Sequence, residues 1–127
     1  MINKHLDARG KGEIDYDYAN DVLLFKVKDR DYLKSVDFDN IVIDVDTKGF
    51  ITGMRIFDAS KMFNLSKLSL KNIRGFEFNA KAEDKVISIQ LRFVAELRNK
   101  KSVIQGQNIE RASDAFINNS EVCCTVA

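Results

Sequence analysis

In this 127-residue chain the aspartates are spaced in a way that suggests catalysis or cation binding, because they recur at alternate positions along predicted strands. One group comprises Asp15, Asp17, Asp21, Asp37 and Asp39. Paired carboxylates can transfer protons or bind a divalent cation when one of them is desolvated. On alternating strands, however, the carboxylates face water while the apolar residues between them face the core. We therefore interpret the group as solvated surface and keep an Asp-dependent small-molecule or metal-binding enzyme as the alternative.

A second acidic motif precedes a glycine. Asp44 and Asp46 stand at alternate positions before Gly49, as carboxylate ligands do at the start of a calcium-binding loop. The pattern then departs from such a loop. Lys48 stands where an oxygen ligand is needed, and Arg55 stands where the bidentate glutamate belongs. The motif instead predicts a hairpin turn closed by a left-handed glycine, and no metal site.

Nucleophilic side chains lack partners in the sequence. Asp58 and Ser60 follow a predicted strand, but the only histidine, His5, is remote, so a Ser-His-Asp triad has almost no support. Asp58 is predicted to be the N-cap of a short helix. Cys123 and Cys124 are adjacent, and neighbouring strand residues point to opposite faces, so we expect two thiols rather than a disulfide or a zinc site. No cofactor is predicted.

Composition narrows the class of protein. The chain has 20 Lys and Arg against 19 Asp and Glu, which argues against a strongly basic nucleic-acid-binding protein. Apolar residues make up 45% of the chain, enough for a packed core. Apolar runs fall short of the roughly 18 residues of a membrane span, and the N-terminus lacks the apolar segment of a secretory signal. We therefore expect a cytoplasmic protein without membrane contact.

Alternation of apolar and polar residues with a period of two predicts a mainly β fold. We expect an antiparallel meander of hairpins with one or two short helices near the middle, and an α+β fold is the alternative. The predicted elements are a hairpin within 14–27, a hairpin within 41–57 with a bend at Gly53, short helices after Asp58 and Ser66, a hairpin over 73–97 with its loop at 81–85, and strands near 103–104 and 122–126.

Three segments are predicted along the chain. Residues 1–12 are polar and are expected to be a flexible tail. Residues 13–63 form a hairpin module, and residues 64–127 add a short helix and a long β-hairpin extension. We expect the extension to pack with the first module as one domain.

Residues 13–63 resemble the family catalogued as domain of unknown function 2283. The resemblance rests on an ordered set of motifs: Ile14-Asp15-Tyr16-Asp17, Asp21-Val22-Leu23, Ile41-Val42-Ile43-Asp44-Val45-Asp46, Lys48-Gly49, Ile51-Thr52-Gly53 and Ile56-Phe57-Asp58-Ala59-Ser60. Two features depart from the family: the first turn is short, and a long extension follows the module. The family has no established activity, so the resemblance implies a fold class rather than a reaction.

The resemblance also marks candidate residues. As possible binding residues it indicates Tyr16, Asp17, Asp21, Asp44, Asp46, Asp58 and Ser60, and as structural turn residues it indicates Gly49 and Gly53. No catalytic residue is assigned.

For function, the sequence favours a non-enzymatic protein–protein interaction module. Sheets of this kind leave open edges that can pair with another chain, so we expect a homo-oligomer, most simply a dimer, and a possible protein partner. Further alternatives are an antitoxin-like partner protein and an RNA-binding accessory protein. The basic residues of the second half, which an RNA-binding face would need, are interrupted by glutamates, so nucleic acid is not the expected partner.

Overall fold

Nine strands and two short helices make up the computed structural model, which describes residues 4–95, 103–112, 117 and 119–126. The strands are β1 (Lys4–Asp17), β2 (Val22–Val27), β3 (Tyr32–Phe38), β4 (Ile41–Asp46), β5 (Ile51–Phe57), β6 (Ile73–Glu83), β7 (Val86–Ala95), β8 (Val103–Ala112) and β9 (Ser120–Val126). The helices, α1 (Ala59–Phe63) and α2 (Lys67–Lys71), lie between β5 and β6. At five residues each, neither described helix is long enough to cross a membrane.

All nine described strands form one sheet in the order β3-β4-β5-β2-β1-β9-β6-β7-β8. Every neighbouring pair is antiparallel except β1 with β9, which is parallel. The fold is therefore mainly β and mostly antiparallel, with two short helices near the middle, and the predicted fold class is confirmed. The parallel pair joins the strands of the predicted module to the strands of the extension.

The core covers one face of this sheet and includes residues from both segments. Phe25 on β2 packs against Phe76 on β6, with ring centroids 4.7 Å apart. Phe63 on α1 meets Phe93 on β7 edge to face, with ring centroids 4.9 Å apart. These aromatic contacts and the aliphatic residues around them form a single cluster of buried side chains.

The N-terminal segment differs from the prediction. Lys4–Asp17 form one strand, so residues 4–12 are not a flexible tail. Lys4–Ala8 pair in parallel with Ser120–Cys124, and Ala8 is fully buried. The strand was not predicted, because its residues are mostly polar. Backbone pairing with β9 stabilises it, rather than a run of apolar side chains.

Two further strands differ in extent. β3 was not predicted, because most of its side chains are exposed or half-buried at the sheet edge and alternation is weak there. The predicted loop at 81–85 is shorter than expected, since β6 continues to Glu83 and only Asp84 and Lys85 form the turn. Both turn residues have positive φ, 52° and 66°, as a tight type I′ turn requires. The end of the strand predicted to reach residue 97 lies outside the described residues.

Gly12 sits where β1 contacts both of its neighbours. It is paired with Val27 on β2 and with Val126 on β9, next to a register shift in the β1–β9 pair. A Cβ atom at this position would lie 2.6 Å from the Thr125 carbonyl oxygen and 2.7 Å from the Phe76 ring. Close approach of β9 to β1, rather than backbone flexibility, therefore requires glycine here.

Replacing this glycine should weaken the junction between the two segments. We expect Gly12→Ala to lower the free energy of unfolding by about 1–3 kcal/mol, because the neighbouring backbone must move to admit a methyl group. The matched control is Gly106→Ala on β8, where a Cβ would have only ordinary contacts, the nearest at 3.9 Å. Urea unfolding of the three proteins measures the difference, and equal stability of the two variants would contradict the packing argument.

Candidate functional site

The Asp21 carboxylate is the point where three predicted site residues meet. It lies in the turn between β1 and β2, with φ of 57°, and the residue is only 8% exposed. The Tyr16 hydroxyl donates to its Oδ1 at 2.7 Å. The Ser60 hydroxyl donates to Oδ2 at 2.6 Å, and the Ser60 backbone N–H donates to Oδ1 at 3.0 Å. One carboxylate therefore connects the first hairpin to the start of α1.

The protonation states in this network follow from its hydrogen bonds. Burial alone would raise the pKa of Asp21, but the bonds from Ser60 and Tyr16 outweigh burial and hold the pKa below its ordinary value. Burial and the bond to Asp21 raise the pKa of Tyr16, so its hydroxyl remains protonated. An ionised carboxylate saturated by donors of its own chain is a poor general base, because it must give up those bonds to accept a proton.

This arrangement corrects the prediction for Asp58. Asp58 precedes α1 in the left-handed conformation, with φ of 53°, and its side chain makes no capping hydrogen bond. Asp21, which lies 39 residues before Ser60, caps the first turn of α1 instead, because its carboxylate accepts a hydrogen bond from the Ser60 backbone N–H. The second predicted cap is confirmed, since the Ser66 hydroxyl accepts a hydrogen bond from the Ser69 backbone N–H.

Asp17 makes a separate, exposed hydrogen-bond pair with Asn20, whose side chain and backbone N–H donate to it at 2.8 and 3.1 Å. These bonds lower the pKa of Asp17.

Asp15 and Asp17 both line an open cavity of about 550 Å³ on the face of the sheet opposite the core, together with Arg55. Asp21, by contrast, is buried, so the prediction that all these carboxylates are solvated is wrong for Asp21.

Asp44 belongs to a different cluster. Its Oδ1 accepts from Arg55 at 2.9 Å and from the Ser35 hydroxyl at 2.7 Å, and Ser35 also contacts the Tyr32 hydroxyl at 2.6 Å. The Arg55 Nε is buried without a hydrogen-bond partner among the described residues. The cluster therefore ties β3, β4 and β5 together across the outer face of the sheet.

Asp46 is almost fully buried, at 1% exposure, and holds the β4–β5 turn. Its Oδ1 accepts from the backbone N–H groups of Lys48 and Phe50, each at 2.9 Å. Its Oδ2 accepts from the Arg30 Nε at 2.8 Å, and the Arg30 guanidinium also lies over the Phe50 ring. With Gly49 at φ of 88°, the predicted hairpin turn with a left-handed glycine is confirmed.

The other predicted structural residues also have clear positions. Gly53 faces Asp44 beside a β-bulge, since Asp44 pairs with Gly53 whereas Val45 pairs with Ile51. Cys123 and Cys124 are free thiols on β9, as expected. Burial raises the pKa of Cys124 to about 12, so this thiol is not a nucleophile at neutral pH.

The structure thus joins Tyr16, Asp21 and Ser60 by hydrogen bonds, and the side chains of Asp17, Asp44, Asp46 and Asp58 make none of these bonds. Two partners of these carboxylates, Arg30 and Ser35, were not predicted from the sequence. The pairing of Arg55 with Asp44 could have been predicted, because the two residues have opposite charge and stand on neighbouring predicted strands. The contact between Arg30 and Asp46 could not, because it depends on a turn that local sequence patterns do not specify. Within the described ranges, no three His, Cys, Asp or Glu side chains are grouped as metal ligands would be.

Comparisons with known proteins agree with the sequence resemblance. Residues 13–60 match the family model described as "Protein of unknown function (DUF2283)". An uncharacterised protein of Methanocaldococcus jannaschii is 35% identical over 113 residues, which cover 88% of this chain and 97% of that protein. A Methanosarcina mazei protein named putative hypoxanthine phosphoribosyltransferase is 35% identical over 86 residues, covering 68% of this chain and 70% of that protein. No solved structure matches the chain.

Removing the charge of Asp21 should destabilise the fold. An asparagine at this position has one acceptor oxygen and cannot accept from all of the Tyr16 and Ser60 donors. We expect Asp21→Asn to lower the free energy of unfolding by about 1–3 kcal/mol, the cost of an unsatisfied buried donor. The control is Asp39→Asn, at an exposed aspartate with a similar backbone φ of 61°. Equal destabilisation of the two variants in chemical denaturation would contradict this role for Asp21.

The same carboxylate should contribute to acid sensitivity. Its pKa is lower in the folded than in the unfolded protein, so its contribution is fully present above the unfolded value of about 3.9 and is lost as pH falls through the folded value. The stability difference between wild type and Asp21→Asn should therefore be constant near neutral pH and shrink below about pH 4. Unfolding curves recorded across this range measure it, and a difference that grows on acidification would contradict the assignment.

Proposed function

Since the chain belongs to the protein family of the uncharacterised Methanocaldococcus jannaschii protein and carries a DUF2283 segment, we propose that it is a non-enzymatic protein–protein interaction module that pairs through a sheet edge. The single observation that supports this most is the open sheet. Its end strands, β3 and β8, each have a strand partner on one side only among the described residues. Unpaired backbone groups on such edges can pair with another chain.

The two edges differ in how well they are protected. β3 has a register shift between Tyr32 and Lys34, so Leu33 lies at a bulge, and the strand carries charges at Lys34 and Asp37. Bulges and charged side chains are the features that protect natural sheet edges from unwanted pairing. β3 is therefore a protected edge.

β8 is less protected, because it has no register shift and its two charged residues, Glu110 and Arg111, lie at its C-terminal end. Ten residues pair in unbroken register with β7, from Val103 opposite Ala95 to Ala112 opposite Val86. The sequence of residues 103–109 is VIQGQNI and contains no charge. A long edge in regular register with an uncharged stretch of seven residues is a favourable template for antiparallel pairing. β8 is therefore the edge to which we assign the interaction.

We propose a second copy of the chain as the partner. Antiparallel pairing of two identical strands about a twofold axis is self-complementary, because each residue donates and accepts in the same way on both sides. The edge has no net charge, because Glu110 and Arg111 offset each other, and a net charge of +1 on the chain creates little repulsion between copies. The proposed dimer continues the sheet from one protomer into its partner.

An enzyme that acts at the outer-face cavity is the second candidate. The observation in its favour is that Asp15, Asp17 and Arg55 line one cavity and that the Arg55 Nε has no described hydrogen-bond partner. If this chain had the activity for which the Methanosarcina mazei relative is named, hypoxanthine would be the substrate of this second candidate. Phosphate-containing substrates are commonly held by a glycine-rich loop at a helix N-terminus, and the two described helices are single turns without such a loop. The interaction module is the better supported proposal.

Charges added to the β8 edge should dissociate the dimer. We expect wild-type protein to sediment as a dimer at micromolar concentration and Gly106→Lys/Asn108→Lys to associate at least about tenfold more weakly. Both positions are exposed, and a side chain at Gly106 meets only ordinary contacts. The control, His5→Lys/Thr47→Lys, adds the same charge at exposed positions that lie on neither edge strand. A monomeric wild type, or equal association of both variants, would contradict the proposal.

A further inference from the structure

The direction of the backbone groups on β7 follows from the β6–β7 turn. Asp84 and Lys85 form a two-residue turn with Glu83 paired to Val86. In such a turn the carbonyl before it accepts from the N–H after it, so the backbone groups of Val86 face β6. Along an antiparallel strand this direction alternates from one residue to the next. The backbone groups of the odd-numbered residues, such as Ile89, therefore face β8.

The unbroken register transfers this alternation to β8. Ile109 is opposite Ile89, so its N–H and C=O bond to β7. The residues that alternate with it point their backbone groups to the free edge. Within 104–110 these are Ile104, Gly106, Asn108 and Glu110. The Glu110 carbonyl accepts from the Arg111 guanidinium at 2.9 Å, as a carbonyl that β7 does not use can do.

A gap beside a charged side chain lies on the outer face at this edge. Arg92 on β7 is directly opposite Gly106, and both are exposed. Residues opposite each other share a face of the sheet, so a side chain at Gly106 would stand next to Arg92. The Arg92 Cγ lies 4.0 Å from the place where that Cβ would be. The glycine therefore leaves the way from Arg92 to the free edge open.

The opposite charge on this face belongs to Glu110, which is exposed four residues farther along β8. Within the ranges that the structure describes, neither Arg92 nor Glu110 takes part in an ion pair. Glu77 is opposite Arg92 on β6 but forms no ion pair with it there. A guanidinium has five N–H donors, so Glu77 does not prevent Arg92 from binding a second carboxylate.

We propose that two copies of the chain pair in the register that places Gly106 opposite the partner's Glu110, with Arg92 reaching over the glycine to that carboxylate. This inference rests on the edge pairing proposed above and specifies the residues that recognise the second copy. Residues whose backbone groups point outward must face each other across the new pair, and this register satisfies that condition. Twofold symmetry places Asn108 opposite itself and forms the ion pair twice.

Strand spacing permits this contact in one register and not in its neighbours. Adjacent strands are about 4.8 Å apart, so Arg92 and the partner's Glu110 would be roughly 10 Å apart between Cα atoms, with only a glycine between them. Both side chains are long and lie on the same face. If the partner's Gly106 or Asn108 were opposite Gly106 instead, the carboxylate would move along the strand by at least about 7 Å. The charges therefore select among the registers that backbone pairing allows.

Charge reversal and rescue, measured by sedimentation equilibrium of the full chain, test this register. We expect Arg92→Glu and Glu110→Arg each to weaken dimerisation at least about fivefold, because each change makes a twice-occurring ion pair repulsive. The combined variant Arg92→Glu/Glu110→Arg exchanges the charges and should return to within about twofold of wild type. The control Lys61→Glu makes the same charge change at an exposed position on α1 and should change the dissociation constant less than about twofold.

Unfolding curves show whether Arg92→Glu folds normally beside Glu77. If it does not, Arg92→Gln and Glu110→Gln replace the reversals, and the second substitution should then add less than about twofold to the effect of the first. Additive losses in that pair, or a combined reversal that does not restore dimerisation, would overturn the register.

The edge variant Gly106→Lys/Asn108→Lys distinguishes failure of the register from failure of edge pairing. It still opposes the dimer in this register, because Asn108→Lys brings two ammonium groups together at the twofold axis. A dimer that the edge variant dissociates, but that the reversals at Arg92 and Glu110 leave unchanged, would overturn the register alone. A monomeric wild type, or a dimer that the edge variant leaves intact, would overturn both proposals.

Discussion

Burial of one ionised carboxylate is the constraint on which the rest of the structure depends. Asp21 lies in a left-handed turn and accepts hydrogen bonds from Tyr16 and from both donors of Ser60. Desolvating a charge is costly unless several donors compensate for it, so the carboxylate fixes the positions of those donors. The start of α1 is placed in this way, and α1 in turn places Phe63 against Phe93 of the extension.

The family segment contains the whole Asp21 network. The match runs from residue 13 to residue 60, so it contains Tyr16 and Asp21 and ends at Ser60. The strands of this segment leave the other side of β1 open. In this chain β9 pairs there, at the close approach that Gly12 permits. The β8 edge that we propose for the partner lies outside the residue range of the match.

The sequence predicted the parts of the fold that depend on local alternation. The hairpins of β1–β2, β4–β5 and β6–β7 have one buried face each, so their period of two is visible in the residues. β3 and the first half of β1 were not predicted, because an edge position and a polar strand do not produce that period. Asp58 looked like a helix cap because cap patterns are local, whereas the residue that caps α1 is 39 positions away. Burial of Asp21 and Asp46 depends on partners in other elements and was likewise not visible in the sequence.

The central claim is that the Asp21 carboxylate is a structural acceptor rather than an acid or base. A titration of the side-chain carboxyl carbons by NMR measures the protonation of each aspartate directly. The account predicts that Asp21 titrates below the ordinary aspartate value of about 3.9, with the Ser60 amide signal shifting at the same pH. A pKa of Asp21 at or above that value, or a Ser60 amide that does not respond, would contradict it.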